Sequence, residues 1–248
     1  MTELAYLADM PSAYVTEFRA RIVALPPGGV VLDRTYFYPT GGGQPSDRGT
    51  LGIVGGAAAE VVEVSKSGGS VVHRLRGPSG FLAHLARDQE VDGRIDWPRR
   101  HQHMRLHTAQ HLLSAHVFLA TGLRTRRASL GGLRATLDLE GPLPDDALPR
   151  LVDEVRRSIE SPRTVRIRHL PRSEWDANPV GERSGLVPLP PQVDPVRVIE
   201  IEGTDICPCG GTHVRSTGEI GPLRFDPLGA RTRLAFTLAE PDPPTPSG

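Results

Sequence analysis

DWPRRHQHMRLHTAQHLLSAHVFLATG, residues 96–122, divides the chain into two differently patterned halves. Met104, Leu106, Ala109, Leu112, Leu113, Val117 and Leu119 recur at helical spacing and predict a helix over 99–121. Pro98 suits its first turn and Gly122 its stop. Upstream, VVLD (30–33), VVEV (61–64) and VVHRL (71–75) are short β-branched runs bounded by Gly, Pro and Ser. FYPTGGGQPSDRG (37–49), between the first two, is too glycine-rich for the interior of a helix or strand. Short strands at close spacing predict a small β-barrel domain over residues 1–95. Downstream, ASL (128–130) and LRATLDL (133–139) flank Gly131-Gly132 as in a hairpin, and a second helix is predicted over 145–161. Strands are expected at 164–170, 196–201 and 233–239, with 173–192 mostly loop plus a short helix. This order predicts an α+β fold, a two-layer α/β sandwich over 96–240. The tail PDPPTPSG (241–248) is expected to be disordered.

Composition narrows the function. The chain has 248 residues, 38% of them hydrophobic, and no apolar run long enough to span a bilayer. MTELAYLADM carries acids and lacks the pattern of a secretory leader. The two cysteines, Cys207 and Cys209, have one residue between them and make no disulfide framework, so a reducing, cytoplasmic setting is expected. A net charge of zero argues against a basic coat for nucleic acid. The positive charge is nearly all arginine, Lys66 being the one lysine, and it clusters at Arg99, Arg100 and Arg105 and again at Arg124, Arg126, Arg127 and Arg134. These clusters read either as solvated helix and strand faces or as a local phosphate-binding surface.

Two motifs about a hundred residues apart read as halves of one metal site. HTAQH (107–111) puts His107 and His111 on one helical face, and CGGTH (209–213) repeats the three-residue spacing with Cys209 and His213. One thiolate and three imidazoles suit a tetrahedral zinc ion, one per chain. Gly210 and Gly211 are expected to let the loop turn sharply. His103 also pairs with His107 at i, i+4, but RRHQHMR is charged and His103 is read as a solvated spectator. Cys207 is read as a buried or neighbouring thiol. Thr108 stands where a zinc protease carries glutamate, which disfavours peptide hydrolysis of that type. Four protein ligands are typical of structural zinc, and three plus water of catalytic zinc, so spacing alone leaves the metal's role open.

HTAQH and CGGTHV resemble the two zinc motifs of the editing domain shared by alanyl- and threonyl-tRNA synthetases. DRTYFYPTGGGQPSDRG (33–49) is similar to the segment that precedes that domain, and VDGRIDWPRRHQHMRLHTAQHLL (91–113) and GTDICPCGGTHVRSTGEIGPLRF (203–225) continue the likeness. It covers most of residues 25–238, with neither an ATP-binding class II core nor a C-terminal dimerisation region expected. The chain therefore resembles the freestanding trans-editing proteins of the AlaX type and intermediate length. The resemblance implies zinc-dependent hydrolysis of the ester linking a wrong amino acid, chiefly serine and also glycine, to tRNA(Ala). It implies zinc ligation by His107, His111, Cys209 and His213. It puts Gly42, Gly43 and Gln44 in a loop that approaches the acceptor end or the amino acid, Gln44 among the catalytic residues. In LRTRRASLGG (123–132), where relatives carry a polar pocket residue, Thr125 and Ser129 are the two hydroxyl candidates, and Arg126 and Arg127 are candidates for phosphate contact.

An aminoacyl ester is already activated, so a positioned water with electrophilic help suffices for its hydrolysis. The partner expected is the acceptor end of misacylated tRNA(Ala), met by a monomer. Two other classes fit the same motifs: a zinc-stabilised RNA-binding module without hydrolysis, and a zinc hydrolase of small esters or amides.

Overall fold

The computed structural model describes residues 1–177, 189–226 and 231–239, so the expected disordered tail and most of the proline-rich 173–192 stretch lie outside the described residues. The chain divides into two compact units, Met1–Met104 with Gly210–His213, and Arg105–Cys209 with Val214–Gly248. Helices, strands and several separate sheets make it a mixed α/β protein.

The first unit is built on six antiparallel strands, Glu17–Ala24, Gly29–Leu32, Gly49–Ile53, Ala58–Ser67, Ser70–Arg76 and Glu90–Ile95. Each pairs with two neighbours and the ring closes. Ile22, Leu32, Phe37, Val61 and Val64, all fully buried, fill it. Three of its strands, Glu17–Ala24, Gly49–Ile53 and Glu90–Ile95, lie outside the β-branched runs read from the sequence. EFRARIVA and EVDGRI alternate charged and apolar or small residues, so the period of two is carried by charges facing out. Cross-strand pairs Arg19–Asp92 (2.9 Å) and Arg94–Glu17 (3.0 Å) neutralise that exposed surface, and Arg76–Glu60 (2.6 Å) pairs across Ala58–Ser67 and Ser70–Arg76. Gly49 begins the third strand at φ +156°, where a Cβ would lie 2.0 Å from the Arg94 carbonyl oxygen, so only glycine fits.

His73, on the strand Ser70–Arg76, is fully buried among barrel side chains. Its Nδ1 lies 3.3 Å from the Val30 carbonyl and its Nε2 2.8 Å from Thr35 Oγ1, which in turn accepts from the Phe37 amide. Nδ1–H donating to Val30 and the Thr35 hydroxyl donating to Nε2 satisfies every member with a neutral ring. Burial holds the imidazole well below its ordinary 6.5, at about 4. The unfolded chain therefore binds the extra proton first. The stabilising contribution is complete above about pH 6.5 and falls towards pH 4, with a slope of up to about 1.4 kcal/mol per pH unit. Denaturant unfolding of the wild type and His73→Gln at pH 7 and pH 5 measures it. The variant should lose less stability on acidification, and equal losses would refute the assignment.

The long helix runs Trp97–Thr121. Pro98 sits in its first turn, and Gly122, at φ +74°, ends it with its amide on the Phe118 carbonyl. Met104, Leu106, Ala109, Leu112, Leu113 and Val117 are buried as their spacing predicts, whereas Leu119 is 56% exposed. The second unit takes the helix on from Arg105. It adds the hairpin Thr125–Ser129 and Arg134–Leu139, turned through Gly132 at φ +65°, and the helix Ala147–Glu160, which buries Ala147, Leu151, Val155 and Ser158 along one stripe. The hairpin continues into a four-stranded sheet with Arg233–Leu238 and Leu223–Phe225. A separate three-stranded antiparallel sheet orders Val165–Leu170, Val196–Ile201 and Asp205–Pro208. Among the described residues no helix is long and apolar enough to cross a membrane.

Candidate metal centre

Helical spacing sets His107 and His111 one turn apart, with ring centroids 5.2 Å from each other. Both are nearly buried, at 3% and 5% exposure. Between them the fully buried Thr108 accepts the Val214 amide on its hydroxyl (3.2 Å). A threonine at this position thus tethers the helix to the chain just past the CGGTH loop. Cys209 follows the strand Asp205–Pro208, its amide bonded to the Arg197 carbonyl and its own carbonyl accepting from the Arg197 guanidinium. Its Sγ lies 3.5 Å from His107 Nε2. His107, His111, Cys209 and His213 each offer one ligand atom, and these atoms all lie within 4.8 Å of one another. Three imidazoles and a thiol are the donors that a borderline-soft ion such as zinc selects. The surroundings favour positive charge as well. Burial alone would lower the basicity of His111, but its hydrogen bonds to Asp205 and Cys209 and their negative charge outweigh that and push it up to about 10.

His103 stands outside this group, and it is not solvated: only 1% of it is exposed, because helical spacing puts it on the buried face of the first turns with Arg100 and Met104. The CGGTH glycines also differ from expectation. Neither Gly210 nor Gly211 has a positive φ, and a Cβ on the exposed Gly210 would meet nothing within 4 Å.

The glycine-rich loop belongs to the first unit. Gly42 (φ +55°) and Gly43 (φ +79°) form a tight two-residue turn closed by reciprocal backbone bonds between Gly41 and Gln44, a geometry that needs left-handed residues. The turn delivers Gln44, 1% exposed, to the Gly210–His213 segment of the same unit. Its Nε2 donates to Thr212 Oγ1 (2.9 Å) and its Oε1 accepts from the Thr212 amide (3.3 Å). Thr212 immediately precedes His213, so the glutamine grips the CGGTH loop by its backbone and side chain. The loop is anchored behind by Asp47. That carboxylate accepts from the Tyr38 amide and pairs with Arg100, both side chains having no exposed surface, while Arg100 also donates to the Ala13 and Tyr36 carbonyls.

Of the two hydroxyl candidates, Thr125 is bonded to Ser114 (2.9 Å), which lies three residues beyond His111 on the helix and accepts from Gln110. Ser129 sits at the far end of the same strand, exposed, opposite Thr136. Arg126 and Arg127 are exposed on that strand, with Arg127 opposite Asp138. The roles of Asp205 and Thr212 and the pairing of Arg100 with Asp47 were not foreseen, although Arg100 stood in the first arginine cluster and Asp47 in the glycine-rich segment. Asp205 had a visible signal, a carboxylate four residues before Cys209 in the same motif.

A family model for the threonyl and alanyl tRNA synthetase second additional domain matches residues 196–226, the segment with Cys209 and His213. One for class II (A) tRNA synthetases matches residues 10–99, the barrel segment. The alanine–tRNA ligase of Pyrococcus abyssi is 37% identical over 86% of this chain, which spans only 23% of that protein. Two relatives named alanyl-tRNA editing protein AlaX-M match nearly end to end. That of Methanosarcina acetivorans is 34% identical, covering 97% of this chain and 100% of its own length. That of Saccharolobus solfataricus is 35% identical, covering 96% and 99%. The chain belongs to the AlaX-M family of alanyl-tRNA editing proteins.

Proposed function

We propose that this protein edits in trans, hydrolysing the ester that joins a wrong amino acid, chiefly serine and also glycine, to tRNA(Ala). It acts in the cytoplasm, as a monomer holding one zinc ion. The observation that carries this reading is the cluster of His107, His111, Cys209 and His213 within 4.8 Å. In the same reading the barrel (1–95) and the editing domain (96–240) are separate domains, the second a two-layer sandwich.

When bound, zinc supplies a fixed positive charge that can anchor or polarise a substrate oxygen. The chain's own residues do the rest. Gln44 acts as a positioning residue, since its carboxamide holds Thr212 beside His213. Thr125, tied through Ser114 to the metal-bearing helix, is the better placed hydroxyl for the substrate's side chain, and Ser129 is the more remote. A partner dedicated to the serine hydroxyl is left unpaired by alanine, which is how such a site rejects the smaller, correct ester. Gly42 and Gly43 keep side chains out of the approach, and Arg126 and Arg127 contact acceptor-stem phosphates. Deacylation of Ser-tRNA(Ala) and Ala-tRNA(Ala) with and without a chelator tests the reading. Chelation should abolish serine release, and Ala-tRNA(Ala) should be spared throughout. Chelator-insensitive turnover would rule out the metal's part.

Gly210 sharpens the picture. Neither its backbone conformation nor its packing requires glycine, yet it is exposed next to Cys209. We read the space as room for the incoming acceptor end. Gly210→Ala should leave stability within about 0.5 kcal/mol of wild type, while Gly210→Val lowers kcat/KM for Ser-tRNA(Ala) with zinc content intact. Wild-type kcat/KM in both variants would remove this role.

A further inference from the structure

The strand Asp205–Pro208 alternates its side chains, so Asp205 and Cys207 point to one side. His111 lies on that side, and His111, Asp205 and Cys207 bring their ligand atoms within 4.8 Å of one another. His111 therefore belongs to two clusters, the four-ligand group and this one. The contact that distinguishes them is the 3.2 Å approach of Asp205 Oδ2 to His111 Nδ1, with side chains only 10% and 6% exposed. Cys207 is buried, and its Sγ donates to the Pro208 carbonyl at 3.7 Å.

We propose that Asp205 is a positioning residue that orients His111 for the metal. A neutral imidazole has one N–H and one lone pair. With Nδ1–H donating to the carboxylate, the lone pair is left on Nε2, and the ring is fixed about its Cβ–Cγ bond. The carboxylate also makes the ring a stronger donor, because the positive charge it gains on binding a cation is balanced at Nδ1. His107 is likewise arranged with Nε2 towards Cys209. The two helical ligands would thus offer the same nitrogen, His111 held by a carboxylate of the three-stranded sheet that is only 10% exposed. This inference rests on the zinc reading above, but it concerns residues outside the four ligands.

The test is zinc affinity, measured on the full chain by competition with a chromophoric chelator at fixed pH, with the zinc-free unfolding midpoint as a control for folding. Asp205→Ala should bind zinc about 10–100-fold more weakly than wild type. Asp205→Asn keeps an acceptor of the same shape and loses the charge, so its affinity should fall between the two. Cys207→Ser should match the wild type, and all should bind one ion. Unchanged affinity in Asp205→Ala would overturn the inference. So would full retention in Asp205→Asn, which would reduce the role to shape. Two ions per wild-type chain, the second lost with Asp205 or Cys207, would make Asp205 a ligand instead. A wild type that takes up no zinc would refute the metal reading itself, a separate outcome.

Discussion

Asp47→Ala is expected to cost about 3–5 kcal/mol of folding stability, the range for removing one partner of a buried ion pair. Neither Asp47 nor Arg100 has any exposed side-chain surface. Without its partner the guanidinium would be left as a buried charge held only by the Ala13 and Tyr36 carbonyls. The Tyr38 amide would lose its acceptor in the same step. The cost is large beside the roughly 5–15 kcal/mol by which a folded domain is stable. Asp47→Asn keeps the acceptor for Tyr38 and should lie between alanine and wild type. Denaturant unfolding of zinc-saturated protein measures both, and a loss below about 1 kcal/mol, typical of a surface pair, would show that solvent reaches the pair. The consequence extends beyond stability, because Asp47 sits three residues after Gln44. Loosening this anchor should also weaken the grip of Gln44 on Thr212, and so lower zinc affinity in any variant that remains folded.

The same residues explain what the sequence disclosed and what it concealed. The long helix was legible because Met104 to Val117 repeat at helical spacing and a left-handed glycine follows. The metal motifs were legible because ligation demands few residue types at fixed spacing. The strands Glu17–Ala24 and Glu90–Ile95 were hidden, since their outward positions are charged and their inward ones include Ala20 and Gly93 in place of β-branched residues. His103 misled because its neighbours in sequence are charged, although one of them, Arg100, is itself fully buried. Local polarity says little about burial where a charge has a partner brought from 53 residues away. Asp205 was overlooked for a related reason: its partner His111 is 94 residues distant.

Truncating the ligands should have the largest effect on activity. His111→Ala and Cys209→Ala are each expected to lose the zinc and to lower kcat/KM for Ser-tRNA(Ala) by at least about 100-fold, the scale of a lost electrostatic stabiliser. Their tRNA binding should fall far less, because phosphate contacts lie outside the metal shell. Arg126→Ala and Arg127→Ala should do the reverse, with weaker binding, a salt slope shallower by about one for each phosphate no longer neutralised, and zinc retained. His103→Ala provides the control within the helix. It removes a buried side chain and should cost stability, yet leave one zinc per chain, because His103 lies outside the four-ligand cluster. Equal zinc loss from His103→Ala and His111→Ala would reassign the helical pair. The decisive result concerns the wild type. If zinc-loaded protein binds tRNA(Ala) and leaves both the seryl and the alanyl ester intact, the four ligands hold a structural ion, and the chain is a binding module that has kept the editing fold without its hydrolysis.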